Sequence, residues 1–398
     1  MKITEVRTSL ISTRWGVEDP YWNGGDVKSS ALVLIETDEG IRGIGESLLG
    51  YFAPETVPPL VDYYAPLLVG RDPDDIDGLW RQMFKSSYFW GRTGAAMSVI
   101  SAIDIALWDI RAQRAGRPLY SIVGTLARSS QLIYASGGGS LWPLERTVEK
   151  VQAYADLGYR AAKVAIGSAF NVSWDPLMGH RFELPTTDRL VELEAEKWRR
   201  LRDAMGQDFE LLTQSSGPTP WTLAHAIRFA EAMAPAHLLW YEEPFVYERL
   251  HDYQRLRARS STPIAGGESF SGVQTFQQFL EAEAFDIIQP DLTYVGGITV
   301  GLKIAALAEA YGTPVAFHVG GSFGPGFAAS LHLSLVTPHV LILEQPPAAA
   351  GVQAALCTFP LTLKAGSIEA PLVPGLGVAL TPEIERRFAF VPGSGERE

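Results

Sequence analysis

A single cysteine, Cys357, stands among 398 residues, so no disulfide can close within the chain and no cluster of thiolates can hold zinc. That scarcity fits a reducing cytosol. No apolar run approaches the roughly 20 residues that a membrane helix needs. The opening MKITEVRTSLIST alternates like a strand, with no apolar leader or small-residue cleavage site. Basic charge is scarce too: 33 Lys and Arg against 45 Asp and Glu give a formal net charge of −12, and without clustered cations a nucleic-acid partner is excluded. No G-x-G-x-x-G follows the first strand, which argues against a dinucleotide fold. Together these absences point to a cytoplasmic protein acting on small molecules.

What is present is enough apolar material for a large core, 46% of the chain, and more length than one small domain needs. Residues 2–13 and 31–47 read as strands, the second broken at Asp38-Glu39-Gly40, so the chain begins as an antiparallel meander. From about 56 to 124 the period turns helical. In AMSVISAIDIALWDIRAQRAG, Val99, Ile103, Ala106, Leu107 and Ile110 share one face, and Gly116 and Pro118 end the helix. After residue 130 short β-rich runs alternate with amphipathic stretches. Strand cores are expected at 131–136, 161–166, 209–214, 238–242, 263–267, 285–289, 314–318 and 340–343, and helices at 144–157, 189–205, 222–233 and 300–311. That rhythm predicts a parallel (β/α) barrel over residues 129–368, preceded by an α+β domain over 1–128. A Pro- and Gly-rich tail over 369–398 is expected to return to the first domain.

In a parallel barrel the catalytic groups gather at the carboxyl ends of the strands. Polar residues end these runs one after another: Lys163, Gln214, Glu242 with Glu243, Glu268, Asp291, His318 and Glu344. One of them alone would be an ion-paired rim residue; a series at matching strand ends marks a site. The remaining histidines fall on helices and loops, where structural or solvated roles are expected.

The motifs SAIDIALWDI, WYEEP, PIAGGES, DIIQPDLTYVGGIT and VAFHVG, in this order and spacing through ILEQ at 342–345, resemble the enolase superfamily, in its mandelate racemase/muconate lactonizing enzyme-like branch. The resemblance implies a capping domain over a modified TIM-type barrel, a divalent metal, usually Mg²⁺, and removal of the proton α to a carboxylate. Such a proton is very weakly acidic, and the enediolate it leaves needs positive charge nearby. By resemblance Glu242 and Glu268 are metal ligands, with Glu243 beside them as a supporting partner. His318 is the base that Asp291 orients, and Glu344 is a protonated donor to the substrate carboxylate. The family's symmetric assemblies imply a homo-oligomer, from dimer to octamer.

Two positions depart from the pattern. The second barrel strand commonly carries K-x-K, and here Lys163 is followed by Ala165. The third commonly ends D-x-N, and here Gln214 and Ser216 stand there. Gln214 can offer Mg²⁺ only a neutral oxygen, so the ion is expected to be held weakly by Gln214, Glu242 and Glu268 or to be dispensed with, and Glu210, roughly 13 Å down the strand, cannot replace the missing acid. Losing the second lysine removes one of the two proton carriers that racemisation needs. One-base β-elimination by His318 is therefore the favoured reading, an acid-sugar or hydroxy-acid dehydratase in which Lys163 binds the substrate carboxylate or the oxyanion. A racemase or epimerase with a base from the long 167–188 loop is the alternative, and a metal-free or non-catalytic carboxylate-binding descendant is the third. In that loop Trp174, His180 and Arg181 are placed to reach the barrel mouth, with His180 as the spare proton carrier. In the cap Trp15, Trp22 and Tyr51 suggest an aromatic lining.

Overall fold

The fold was described from a computed structural model that covers residues 1–16, 26–137, 144–166, 186–215 and 222–396. Three antiparallel strands open it, β1 (Ile3–Arg14), β2 (Val27–Thr37) and β3 (Arg42–Ser47), in the order β1-β2-β3. The turn at Gly40, φ +77°, separates the last two where the DEG signal lies. Strand alternation divides the apolar run of β2 between two layers. Ala31, Val33 and Ile35 pack on the helices Val57–Leu68 and Ala95–Arg114. Leu32 and Leu34 pack on the other side against Phe323, Val352 and Leu356. β3 lies so close to the helix Ala95–Arg114 that a Cβ at Gly45 would fall 1.8 Å from the carbonyl oxygen of Ala102.

That helix is buried on nearly every side and not only on its expected stripe, because it is wedged between the cap sheet and the barrel. Its polar groups serve the junction. Asp104 accepts hydrogen bonds from the Thr299 amide (2.9 Å) and hydroxyl (2.6 Å) at the start of the helix Gly297–Tyr311. Asp109 accepts from the amides of Ile44 and Leu376.

The barrel strands are β4 (Ser130–Ser136), β5 (Ala161–Ile166), β6 (Glu210–Ser215), β7 (Tyr241–Glu242), β8 (Ile264–Gly266), β9 (Ile287–Ile288) and β10 (Leu343–Gln345). All pair in parallel in the order β10-β4-β5-β6-β7-β8-β9. The run 314–318 forms no regular strand but bridges β9 to the run ending in β10, through Ile288–Val315 and Val315–Val340. Several runs are shorter than the sequence suggests. Helices follow each run, among them Leu144–Asp156, Thr187–Met205, Leu223–Met233 and Pro325–Val336. Thr187 already begins a helix, so the last two positions of the expected 167–188 loop are helical; residues 167–185 lie outside the described residues.

Tyr134, Ala161, Leu212, Trp240, Ala265, Ile287, Ala316 and Ile342 form one apolar layer inside the barrel. Two residues further along these runs stand Ser136, Lys163, Gln214, Glu242, His318 and Glu344, which alternation therefore turns to the same interior side at the mouth. β11 (Ser367–Glu369) pairs antiparallel with β4, and beyond it Ala389 bridges Ile11. Val391 and Ser394 hydrogen-bond to Ser12 and Ser29 of the cap sheet. Among the described residues no helix is long and apolar enough to cross a membrane.

One buried carboxylate joins cap to barrel at the loop that follows His318. Glu46 on β3 accepts from the Ser30 and Ser322 hydroxyls and from the amides of Phe323, Gly324 and Gly326. Glu46→Ala would strand these donors in the interior, where each unsatisfied group costs about 1–3 kcal/mol. The variant is expected to lose at least about 3 kcal/mol of stability, read as a lower midpoint in urea unfolding.

Candidate active site

Lys163 is 1% exposed and lies between two acids. Its ammonium is 2.7 Å from Glu242 Oε1 and 3.2 Å from Glu344 Oε1, with the Tyr134 ring centroid 5.5 Å away. Burial alone would strip its proton, but Glu242 and Glu344 outweigh that and hold its pKa well above the usual lysine value. Each acid is fixed in turn. Glu242 Oε2 accepts from Trp240 Nε1 (2.8 Å) and Gln289 Nε2 (2.6 Å). Glu344 Oε2 accepts from the Val319 amide at 2.9 Å.

His318 is the next layer of the arrangement. Its Nδ1 lies 2.7 Å from Asp291 Oδ2, and Asp291 Oδ1 is pinned by the Thr293 amide (2.7 Å) and hydroxyl (2.5 Å). Nε2 faces Glu268 Oε2 at 3.2 Å and Glu344 Oε2 at 3.6 Å. The ring folds against Gly320, where a Cβ would stand 2.7 Å from Nε2, so only glycine leaves the imidazole its place. Glu243 turns away at φ 40°, and its Oε1 accepts from the Gly267 amide, beside Glu268.

The structure thus brings together Lys163, Glu242, Glu268, Asp291, His318 and Glu344. Gln214 is half-buried and pairs in register with Ala165 on one side and Glu242 on the other; the two positions that depart from the family pattern are neighbours. Trp22, Trp174, His180, Arg181 and Ser216 lie outside the described residues. Tyr51 packs its ring on Gly321, three residues past His318. Trp15 is not a lining residue: it is 1% exposed and stacks on Phe323 in the core. Of the other histidines, His332 is a buried structural one, its Nδ1 accepting from the Tyr120 amide.

The expected protonation of Glu344 is corrected by its neighbours. Burial pushes its carboxyl up, but Lys163 and then His318 overcome this, with help from Ser136, and hold it at about 2. It is an anion, paired with an ammonium. Trp240, Gln289, Ser136 and Glu46 were not singled out by sequence. Trp240, Gln289 and Ser136 carry a faint signal, each being a polar-tipped residue on the inward face of its run.

The magnesium that the resemblance implies needs six oxygens at about 2.0–2.1 Å. At the three assigned positions Gln214 has only a neutral amide oxygen, Glu242 Oε2 already accepts twice and Oε1 holds an ammonium, and Glu268 meets His318. Among the described residues no group of three or more His, Cys, Asp or Glu side chains is arranged to hold a metal ion. The donor set does not fit the ion.

A polar cluster with a histidine–aspartate pair, at the carboxyl ends of parallel strands and beneath an α+β cap, defines a barrel enzyme built for proton transfer. The comparisons narrow the class. Residues 23–124 match the mandelate racemase/muconate lactonizing enzyme N-terminal domain, and residues 146–384 the enolase C-terminal domain-like family. The chain belongs to the mandelate racemase/muconate lactonizing enzyme branch of the enolase superfamily. It is 31% identical over 388 residues to a D-galactonate dehydratase of Ralstonia pickettii, covering 95% of this chain and 92% of that one. It is 30% identical over 402 residues to a D-galactarolactone cycloisomerase of Agrobacterium fabrum, covering 98% and 99%. A racemase from Streptomyces coelicolor with bound magnesium superposes with a TM-score of 0.81 at 28% identity, covering 98% of this chain and all of that one.

Burial lowers the proton affinity of His318, yet Glu268, Glu344 and Asp291 outweigh it and raise its pKa to about 10. Glu268, whose side chain is 34% exposed, is pushed up to about 8 by loss of water and by Glu243 and Glu242, against the pull of His318. With a raised pKa the imidazole is protonated at neutral pH and gains its base form as pH rises. A reaction that uses it as base should show kcat/KM climbing about tenfold per pH unit from 7 to 9, measured as initial rates in buffers of constant ionic strength.

Proposed function

We propose that this chain is an acid-sugar dehydratase that removes the proton α to a carboxylate with His318. The observation that carries the reading is the oriented His318–Asp291 pair, its free nitrogen directed among acids at the barrel mouth. In this reading neutral His318 takes the α-proton, and the C–H electrons move into the carboxylate to give an enediolate. Lys163 supplies a hydrogen bond and positive charge to it. The bond from the β-carbon to its hydroxyl then breaks. The imidazolium returns the proton to the departing oxygen, water leaves, and the enol becomes a 2-keto acid. No step runs through a metal.

The names of the relatives in Ralstonia and Agrobacterium support an acid sugar or its lactone as the substrate class. The near-complete match to a cycloisomerase favours an isomerase as the second reading, in which the product keeps the mass of the substrate.

Incubation with a panel of acid sugars in D₂O separates the two. Dehydration yields a 2-keto acid 18 mass units lighter than the substrate in ordinary water, whereas isomerisation yields a product without loss of water. His318→Asn, its fold checked by circular dichroism, is expected to lower turnover by about 10²–10⁴-fold. A His318→Asn variant that turns over like the wild type would remove His318 as the base.

A further inference from the structure

Since the donor set does not fit the ion, the acids of the mouth are balanced from within the chain. Lys163 projects from β5 one layer below Ala165, level with Leu212 in the register. From there its ammonium reaches across to Glu242 on β7 and also touches Glu344 on β10. The two acids lie on opposite sides of β5 in the strand order, so the ammonium sits at the centre of the mouth. Glu242 has both oxygens committed, to Lys163 on one side and to Trp240 and Gln289 on the other. The third position of the would-be ligand set, Gln214, stands in register beside Glu242 and carries no charge to draw an ion.

We propose that the Lys163 ammonium takes the place of the divalent ion in this chain, so that Glu242, Glu268 and Gln214 hold no metal and the lysine supplies the positive charge to the substrate carboxylate. The three features depend on one another. An acid at 214 would add a negative charge beside Glu242 and draw an ion into competition with the lysine. Position 165, an alanine where the family pattern has a second lysine, adds no cation of its own beside Lys163. A neutral Gln214 beside a small Ala165 is the pairing that a built-in ammonium tolerates. For its chemistry the inference rests on the α-proton reading; for its binding it does not.

The test uses full-length protein stripped with a chelator and titrated with Mn²⁺, the free ion being followed by electron paramagnetic resonance in the absence of substrate. The free-ion signal is expected to track added Mn²⁺ with no stoichiometric binding. One equivalent bound by the wild type and lost in Glu242→Gln would overturn the proposal. A Lys163→Ala/Gln214→Asp double variant, its fold checked by circular dichroism, is expected to bind Mn²⁺ at least about tenfold more tightly than the wild type; a folded double variant that binds no better overturns the role given to the lysine. If the double variant does not fold, the wild-type titration decides. A second readout is α-proton exchange in D₂O. Exchange that survives chelation within about twofold supports the inference, and a loss of more than about tenfold restored by Mg²⁺ contradicts it. Should no acid sugar exchange at all, the functional reading fails while the titration still decides what the mouth binds.

Discussion

A charge that is buried must be answered where it lies, and the ammonium of Lys163, at the bottom of the mouth, is answered by Glu242 and Glu344. Removing the lysine would leave two acids uncompensated in the interior, and an unanswered buried charge costs about 3–5 kcal/mol. The rest of the site follows from that pairing. Trp240 and Gln289 orient Glu242, and the Val319 amide orients Glu344. Because Val319 is the residue after His318, the acid that meets the lysine also fixes the backbone that carries the base.

The same loop is held from the opposite side by the cap. Glu46 gathers the hydroxyl of Ser322 and the amides of Phe323, Gly324 and Gly326, while Asp291 holds the His318 ring from the barrel. Between these anchors Gly320 and Gly321 permit close approach, one to the imidazole and the other to the Tyr51 ring. The histidine is thereby set by two domains at once, which is what a proton-transfer geometry requires, since misplacement by about an ångström costs orders of magnitude in rate.

Much of this was legible in the sequence for a physical reason. Strand alternation is a rigid rule, so Lys163, Gln214, Glu242, Asp291, His318 and Glu344 could be placed on one rim from their spacing to the ends of apolar runs. What spacing does not encode is which groups touch across the barrel. The reach of Lys163 to Glu242 decides that Glu344 is an anion, where the family pattern alone implied a protonated donor. Trp15 looked like part of a lining because it sits near other aromatics in sequence, and it does meet Tyr51 edge-on, but it is buried by stacking on Phe323, more than three hundred residues away, and contact at that range leaves no local trace. Glu46 and Asp104 went unread for the same reason, since their donors come from distant loops.

The most direct test of the central claim is where positive charge sits when substrate is bound. Crystals of His318→Asn grown with an acid sugar and soaked in Mn²⁺ locate the metal by anomalous scattering. The account predicts the substrate carboxylate in contact with Lys163 Nζ and no anomalous peak among Gln214, Glu242 and Glu268. A peak there with carboxylate oxygens around it, and Lys163 swung away from Glu242, would contradict it.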